Sequence, residues 1–324
     1  DYGLAPDAPV GPNRTRTVFV AFFLSIGLGV GLALFLEYMD DTVHSTEEVE
    51  RGLHLPAIAV IPAVGSAVGN RLIGTSKALM KRNGNGHNDK HEELLINVDT
   101  RSPLAEAYRH LRTSILLSSA GRAPKTLLIS SSLPGEGKTT TAVNTAFSLA
   151  QTGASVVIVD ADMRRPRLRS IFGVHDQLGL SSILSSSLSE DEILGMVSRD
   201  EATGLGILTS GPIPPNPAEL IGSDQMSHLL SVLQNHFDHV VIDSPPVSSF
   251  TDGVLISTMV DGVLLVVQGG KSSRHIVRRS KQLLQEVGAK IFGVVLNNTE
   301  VQSHDYYYYQ RYYSEKYYGQ QTSA

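Results

Sequence analysis

The chain has 324 residues, which is enough for about two domains at roughly 150 residues each. Its 27 Lys and Arg against 32 Asp and Glu give a formal net charge of -5, which excludes nucleic-acid binding that rests on bulk charge. The sequence contains no cysteine, so disulfides, thiolate metal sites and a cysteine nucleophile are excluded. Charged residues make up 18% of the chain, below the usual ~25%, and this deficit indicates a segment that lies outside water.

The N-terminal region combines a proline-rich stretch with a long apolar run. Residues 1–16 carry prolines at a spacing of three, which indicates an extended conformation. Residues 17–36 carry no charge, and twenty residues at a rise of ~1.5 Å span the ~30 Å apolar core of a bilayer. We therefore predict a transmembrane helix over residues 17–38. Gly27 and Gly31 have a spacing that would let two such helices pack closely, although membrane helices also tolerate glycine without such a role.

Residues 39–95 are predicted to connect this helix to a folded domain. Ser45 and Glu48 have the three-residue spacing of a helix-capping box. The apolar run at 55–62 is bounded by prolines and indicates a short strand. The segment 82–92 is rich in Asn, Gly and charged residues, which is typical of a flexible linker.

Residues 96–300 alternate apolar strands with helical stretches. Strands are predicted at 125–131, 155–160, 206–210, 239–243, 262–268 and 291–297, and a helix from about residue 138 to residue 151. Continuous apolar strands separated by helices indicate a parallel sheet covered by helices on both faces. The predicted fold class is therefore α/β, preceded by one transmembrane helix.

The segment 131–140, SSLPGEGKTT, directly follows a predicted strand and opens a predicted helix. It fits the phosphate-binding pattern GxxxxGK[ST], except that Ser132 stands at the position of the first glycine. Gly135 and Gly137 allow backbone N–H groups to turn toward phosphate oxygens, and the helix N-terminus adds a positive dipole end. Lys138 is expected to reach the β- and γ-phosphates. We assign the nucleotide contacts of this loop to Pro134, Gly135, Glu136, Gly137, Lys138, Thr139 and Thr140.

Three aspartates follow apolar strands of the predicted sheet. Asp160 and Asp162 end the strand at 155–160, one strand from the phosphate loop, and Asp243 ends the strand at 239–243. The carboxyl edge of a parallel sheet is where ligands bind. Carboxylates there suit Mg²⁺ ligation or proton abstraction from a hydroxyl, although a pair such as Asp160 and Asp162 can also be a solvated strand end.

Taken together, these motifs resemble the bacterial tyrosine kinases (BY-kinases), the polysaccharide co-polymerase kinases of capsule and exopolysaccharide export. The resemblance rests on the phosphate loop, on Asp160-x-Asp162-x-Arg164 and on Asp243-Ser-Pro-Pro, and it covers nearly the whole chain. The membrane helix and residues 40–51 are similar to the second transmembrane segment and cytoplasmic exit of chain-length-determinant proteins. The resemblance implies a P-loop NTPase-type sheet, with ATP and Mg²⁺ as cofactors.

The resemblance also implies roles for the residues of the site. Lys138 and the three aspartates are implied to be catalytic. Mg²⁺ would be held by Thr139, Asp162 and Asp243. Asp160 is the first choice to accept the proton of the tyrosine, and the assignment among the three aspartates stays open.

Two further groups of residues are assigned by the same resemblance. Arg164 and Asn297 are implied to contact the nucleotide, with Asn297 near the adenine, although an Asn at a strand end is also an ordinary turn residue. Glu106, Arg109 and Arg112 match the E-x-x-R-x-x-R oligomerisation helix of the family and share one helix face. They imply a ring of identical copies, whereas their spacing alone is more typical of a solvated charged face.

Residues 301–324 form a tail with eight tyrosines within 13 residues. The tail has few aliphatic residues, which indicates disorder, and its charges balance, which disfavours a nucleic-acid surface. By the resemblance, this tail is the autophosphorylation cluster, modified in trans by a neighbouring copy. The expected phosphoacceptors are Tyr306, Tyr307, Tyr308, Tyr309, Tyr312, Tyr313, Tyr317 and Tyr318.

The function predicted from the sequence is that of a membrane-anchored, ATP-dependent protein-tyrosine autokinase that regulates capsular or exopolysaccharide synthesis and export. A partition-type P-loop ATPase and a co-polymerase scaffold with a regulatory nucleotide site stay open as alternatives. The implied partners are neighbouring copies, a cognate tyrosine phosphatase, the export machinery and the membrane, with no nucleic acid. Because cytosolic ATP must reach Lys138, we place the kinase domain on the cytoplasmic side of the bacterial inner membrane. Arg14 and Arg16 are then periplasmic, against the positive-inside rule.

Overall fold

A computed structural model describes residues 14–63, 102–119 and 121–299. Of the proline-rich flank predicted over residues 1–16, residues 1–13 lie outside the described residues, whereas residues 14–16 are helical and not extended. The predictions of a flexible linker at 82–92 and of a disordered tail after residue 300 also lie outside the described residues. The chain divides into two compact units, the first ending at Asp41 and the second beginning at Thr42.

The first unit contains one long described helix, α1 (Arg14–Met39). The helix predicted over residues 17–38 lies entirely within it, so its helical structure is confirmed. None of the residues of α1 is buried, and the helix is long and apolar enough to cross a membrane. Its insertion into a membrane stays a prediction.

The second unit is built on one sheet, to which the described residues contribute eight strands. The strands are β1 (Ala57–Pro62), β2 (Thr126–Ser131), β3 (Val156–Asp160), β4 (Ser198–Arg199), β5 (Gly206–Leu208), β6 (His239–Asp243), β7 (Gly262–Gln268) and β8 (Ile291–Thr299). Their order is β1-β8-β7-β2-β6-β3-β5-β4, and all neighbours are parallel except β4 and β5. All the strands predicted from apolar runs are present, which confirms the mostly parallel α/β sheet.

Helices connect the strands and cover the sheet. In chain order they are α2 (Thr46–Leu53), α3 (Pro103–Leu116), α4 (Lys138–Ala150), α5 (Leu168–Phe172), α6 (Leu180–Leu184), α7 (Glu190–Gly195), α8 (Pro217–Ile221), α9 (Asp224–His236), α10 (Asp252–Ser257) and α11 (Arg274–Glu286). The helix predicted to start at about Lys138 is α4.

The core consists of two apolar clusters, one on each face of the sheet. Neighbouring residues of β6 point to opposite faces, so that Val241 belongs to one cluster and Ile242 to the other. Helices α3 and α4 contribute Leu111 and Val143 to the first cluster, while α9 contributes Leu229 to the second. Burying apolar side chains on both faces is what makes each central strand a continuous apolar run, and it confirms helices on both faces.

The segment from Thr42 to Pro62 is part of the folded unit, which differs from its predicted role as a connector. Strand β1 pairs in parallel with β8 and forms the edge of the sheet. Val49 and Leu53 of α2 are fully or almost fully buried in the core. Because this segment supplies an edge strand and core side chains, the folded unit begins at Thr42 and not at residue 96.

The start of α2 has half of the predicted capping box. The Ser45 hydroxyl accepts a hydrogen bond from the backbone N–H of Glu48 at 3.3 Å, as the spacing predicts. The Glu48 carboxylate accepts from the backbone N–H of His44 at 3.0 Å, one residue before the cap. The helix start was therefore correctly predicted, and the reciprocal bond is shifted by one residue.

Candidate active site

The phosphate-loop segment connects β2 to α4, the context that its sequence predicted. Gly135 and Gly137 adopt φ values of +84° and +91°, in the left-handed region that favours glycine. Gly137 is also the N-cap of α4, and a Cβ atom at this position would collide with the side-chain amide of Asn297. The loop therefore depends on glycine, and it ends where the backbone N–H groups of a helix N-terminus are available to an anion.

Lys138 is the first residue of α4, and its ammonium group contacts two carboxylates. Its Nζ lies 2.8 Å from Asp162 Oδ2 and 3.3 Å from Asp243 Oδ1. The Thr139 hydroxyl donates to the other carboxylate oxygen of Asp243 at 2.6 Å. Burial acts to lower the pKa of Lys138, but the charges of Asp243 and Asp162 outweigh it, so that the pKa lies above its ordinary value. The structure thus brings three of the predicted site residues, Thr139, Asp162 and Asp243, together around the buried cation of a fourth, Lys138.

Strand order explains how Asp243 reaches the phosphate loop. Strand β6 lies between β2 and β3, and Ile129, Asp243 and Asp160 stand side by side in register. Asp160 is therefore two strands from β2, and not one strand as the chain order had indicated. Asp243 occupies the closer position.

Asp160 is fully buried at the end of β3, which excludes the alternative of a solvated strand end. Its Oδ2 accepts from the backbone N–H groups of Arg167 and Leu168 at 2.9 and 3.0 Å. Its Oδ1 has no hydrogen-bond partner in the described part of the chain. Burial, followed by the nearby charge of Asp243, raises the pKa of Asp160 to about 7. Burial also raises the pKa of Asp243.

Glu136 and Asn297 hold the shape of the loop. The Glu136 carboxylate is buried and accepts from the backbone N–H of Leu133 at 2.7 Å and from the hydroxyl of Ser272. Asn297 Nδ2 donates to the backbone oxygen of Glu136 at 2.8 Å. Contact of these two residues with a nucleotide stays a prediction, as it does for the exposed Pro134 and the half-buried Thr140.

Replacing Glu136 with Gln should give a pH-dependent gain in stability. Burial is the main cause that raises the pKa of Glu136 above its ordinary value. A carboxyl group with a raised folded-state pKa loses stability as the pH rises from its unfolded value through its folded value. Since Gln has no charge to bury, the Tm of Glu136→Gln relative to the parent should rise across that window and then level off. Thermal unfolding between about pH 4 and pH 8 measures this difference.

Glu192→Gln is the matched control for this pH series. Glu192 is exposed and accepts from the N–H and hydroxyl of Ser189, and these bonds lower its pKa. A group with a lowered pKa stabilises the fold above its unfolded pKa, so this variant should lose relative stability as the pH rises. A Tm difference for Glu136→Gln that does not change with pH would show that burial does not raise the pKa of the Glu136 carboxyl group.

Arg164 contacts an acid and an aromatic ring. Its Nε and Nη2 donate to Asp252 Oδ2 and Oδ1 at 2.8 and 3.3 Å, and its Cζ lies 4.2 Å from the centre of the Phe250 ring. The Asp252 side chain is 1% exposed. Contact of Arg164 with a nucleotide stays a prediction, and the structure gives its guanidinium group a different partner.

The three residues of the predicted oligomerisation helix lie on α3. Arg109 Nε donates to the Glu106 carboxylate at 2.8 Å on the surface of the helix. Arg112 Nη1 donates to the backbone oxygen of Ser148 at 2.8 Å and so links α3 to α4. Arg112 therefore has a role inside its own chain, and contacts with a second copy stay a prediction.

Two supporting residues were not predicted from the sequence. Asp252 fixes Arg164 across 88 positions of sequence, and Ser272 donates to Glu136 across 136 positions. Neither residue belongs to a local motif, and a pair at such a separation leaves no periodic pattern in a single sequence.

Comparison with known proteins gives matches over most of the chain. The ParA family model, described as NUBPL iron-transfer P-loop NTPase, matches residues 122–323. Tyrosine-protein kinase YwqD of Bacillus subtilis (strain 168) is 35% identical over 216 residues, which are 67% of this chain and 90% of that protein. Tyrosine-protein kinase Etk of Escherichia coli (strain K12) is 30% identical over 297 residues, which are 92% of this chain and 40% of Etk. The solved kinase domain of Escherichia coli ETK is 28% identical with a TM-score of 0.68, and the match covers 79% of this chain and 95% of that one.

Proposed function

The chain belongs to the family of bacterial tyrosine-protein kinases, and on that premise we propose that it transfers the γ-phosphoryl group of ATP to tyrosines in the C-terminal tail of a neighbouring copy. The observation that carries the proposal is the position of Lys138 between Asp162 and Asp243 at the start of α4. A cation at a helix N-terminus suits phosphate oxygens, and carboxylates beside it suit a divalent metal. The eight tyrosines of the tail supply acceptor hydroxyls.

ATP would bind through the backbone N–H groups of the phosphate loop and through Lys138. The ammonium group is shared between two carboxylates in this structure, so the β- and γ-phosphates compete for a cation that is already in place. Thr139, Asp162 and Asp243 present hydroxyl and carboxylate oxygens around that cation, which are the donors that Mg²⁺ prefers, and they would hold the metal. Bound there, Mg²⁺ supplies positive charge that offsets the charge of the phosphate oxygens.

The transfer forms a bond between the tyrosine Oη and the γ-phosphorus and breaks the bond from that phosphorus to the bridging oxygen, whose electron pair leaves with ADP. The proton of the phenol must go to a base within reach. Asp160 is our choice, because its Oδ1 has no hydrogen-bond partner in the part of the chain that the structure describes. The carboxylate oxygens of Asp162 and Asp243, by contrast, accept from Lys138, Thr139 and a backbone N–H group.

We extend the proposal to the cell. Helix α1 anchors the chain in the bacterial inner membrane, and the kinase domain is cytoplasmic because ATP is there. Copies assemble into a ring through α3, and each phosphorylated tyrosine adds ~1.5–2 negative charges whose repulsion loosens the ring. A tyrosine phosphatase would reverse this step, and the cycle would regulate capsular or exopolysaccharide synthesis and export.

Variants of α3 should separate assembly from folding. Arg109 pairs with Glu106 on the helix surface, so Arg109→Ala should give smaller assemblies while the free energy of unfolding stays within about 0.5 kcal/mol of the parent's. Arg112 holds α3 to α4 through Ser148, so Arg112→Ala should reduce both assembly and Tm. Sedimentation velocity and thermal unfolding measure the two effects.

Arg278→Ala removes an exposed basic side chain from α11 and is the control for these variants. It should change neither quantity. If Arg109→Ala and Arg112→Ala sediment like the parent at every concentration that spans assembly, α3 is not the contact between copies.

The test of the proposed function is the fate of the γ-phosphate. The purified chain is incubated with ATP and Mg²⁺, and its intact mass is measured with and without subsequent treatment by a tyrosine phosphatase. We expect added phosphate groups that the phosphatase removes and that map to the tail. Phosphate released only to water would support the alternative of a partition-type ATPase, and nucleotide binding without turnover would support a scaffold. An iron–sulfur cargo is disfavoured, because such clusters are held by thiolates and the sequence has no cysteine.

A further inference from the structure

A half-exposed aromatic ring lies on the loop that follows β6. Phe250 is 36% exposed, whereas Asp243, at the end of the strand, and Val247, within the loop, are buried. Phe250 belongs to none of the motifs identified in the sequence. Its neighbours connect it to the candidate active site from two sides.

The first connection is to the phosphate loop. The backbone N–H of Val247 donates to the Ser131 carbonyl oxygen at 3.0 Å, and the Ser248 hydroxyl donates to the Ser132 carbonyl oxygen. Phe250 follows two residues later, and two residues span at most ~7 Å. The loop that carries the ring is thus hydrogen-bonded to the first residues of the phosphate loop.

The second connection is through Arg164, whose guanidinium carbon lies 4.2 Å from the centre of the Phe250 ring. Arg164 is only two residues from Asp162, which contacts the Lys138 ammonium group. Asp252 accepts from two nitrogens of the same guanidinium group and is itself buried, so the orientation of Arg164 is fixed. One side of the aromatic ring is therefore covered by a cation, while part of the ring stays exposed.

The pairing also determines which ligand suits this surface. Because Asp252 offsets the charge of Arg164, the surface around Phe250 should bind a phosphate group only weakly. An exposed phenyl ring favours an uncharged planar group, which packs on it in an offset or edge-to-face arrangement. Tyrosine presents such a group and carries the acceptor hydroxyl at its far end.

We propose that Phe250, oriented by Arg164 and Asp252, is the platform on which the ring of the acceptor tyrosine packs during transfer. The occupant is a tail tyrosine of a second copy, because eight of the chain's eleven tyrosines lie between Tyr306 and Tyr318. The inference rests on the proposed kinase function and deepens it. Such packing would favour tyrosine over serine or threonine, which have no ring.

The test uses a tail-silent chain, in which each of the eight tail tyrosines is replaced by Ser, so that the chain's own tail does not compete with an added peptide for phosphate. The peptide has the sequence of residues 302–324, and the KM for the peptide and the KM for ATP are measured separately. Phe250→Ala should raise the peptide KM about tenfold and leave the KM for ATP unchanged. Phe250→Tyr retains a ring and should stay close to the tail-silent chain, and Phe250→Leu should resemble Phe250→Ala.

The control is Val287→Ala, which truncates a comparably exposed apolar side chain after α11 and should change neither constant. Binding of ADP shows that each variant is folded. If Phe250→Ala does not bind ADP, the peptide KM of Phe250→Leu and of Arg164→Lys tests the inference instead. Arg164→Lys keeps the positive charge but breaks the two-nitrogen contact with Asp252, so it should also raise the peptide KM.

Three outcomes would overturn the inference. A KM for ATP that rises with the peptide KM would place Phe250 in the nucleotide site. Unchanged constants in all ring variants would show that the ring does not contact the acceptor. If the tail-silent chain hydrolyses ATP but phosphorylates no peptide tyrosine, the proposed kinase function is wrong, and so is the inference that Phe250 packs against an acceptor tyrosine.

Discussion

Replacing Lys138 with Met should lower tyrosine phosphorylation by about 10³-fold. The substitution keeps the bulk of the side chain and removes the cation that ATP phosphates would meet at the start of α4. The structure adds a second expectation, because Lys138 Nζ is shared by Asp162 and Asp243, and all three side chains are at least largely buried. Removing one partner of a buried ion pair costs about 3–5 kcal/mol. The variant should therefore be inactive and also less stable, as measured by phosphotyrosine mass and thermal unfolding.

Lys138→Arg separates these two effects. Arginine keeps the positive charge between the carboxylates, so most of the stability should return, whereas its larger planar group does not reproduce the compact point charge of the lysine ammonium group. Its activity should stay low. Phosphotyrosine at the parental rate in a folded Lys138→Met chain would show that the phosphate loop is not the catalytic site.

Asp243→Asn should give the second large effect, a loss of about 10²–10³-fold in the rate of phosphorylation. Asparagine can still accept the hydrogen bond from Thr139, but it removes the charge that faces Lys138 and that would bind Mg²⁺. The variant should therefore need a higher Mg²⁺ concentration than the parent to reach half of its maximal rate. A titration with Mg²⁺ measures this concentration for both chains.

Asp238→Asn is the matched control, because it makes the same change just before the opposite end of β6. Asp238 accepts hydrogen bonds from the backbone N–H and the hydroxyl of Ser155, both at 2.8 Å, and these bonds stabilise the fold. This variant should lose some stability and keep the parental dependence on Mg²⁺. If Asp243→Asn phosphorylates tyrosine at the parental rate and Mg²⁺ concentration, Asp243 does not bind the metal.

Much of the fold could be predicted because a strand buried on both faces has a continuous apolar sequence. Strands β2, β6 and β7 are such runs, and each was placed within one residue of its observed bounds. The order of strands in the sheet could not be predicted, since it depends on packing between distant segments. For that reason the position of β6 between β2 and β3 became visible only in the structure. The same applies to β1, whose short run does not reveal that it pairs with β8.

In the candidate site, too, local motifs could be predicted and distant contacts could not. Local motifs contain Lys138, Thr139 and Asp243, their spacing indicates phosphate and metal binding, and the structure brings the three residues into contact. The partners that fix neighbouring side chains, Asp252 for Arg164 and Ser272 for Glu136, lie far away in the sequence, so that no spacing identifies them.

The central claim, transfer of phosphate from one copy to the tail of another, is tested most directly by mixing two versions of the chain. The donor is the tail-silent chain, which keeps Lys138, and the acceptor is Lys138→Met with its tail intact. Incubated with ATP and Mg²⁺, neither version alone should gain phosphotyrosine between Tyr306 and Tyr318, because one lacks the tail acceptors and the other lacks the lysine that we propose to be catalytic. In the mixture, the acceptor tail should be phosphorylated at a rate that rises with donor concentration. An unmodified acceptor tail in the mixture, under conditions in which the parent chain phosphorylates its own tail, would contradict transfer between copies.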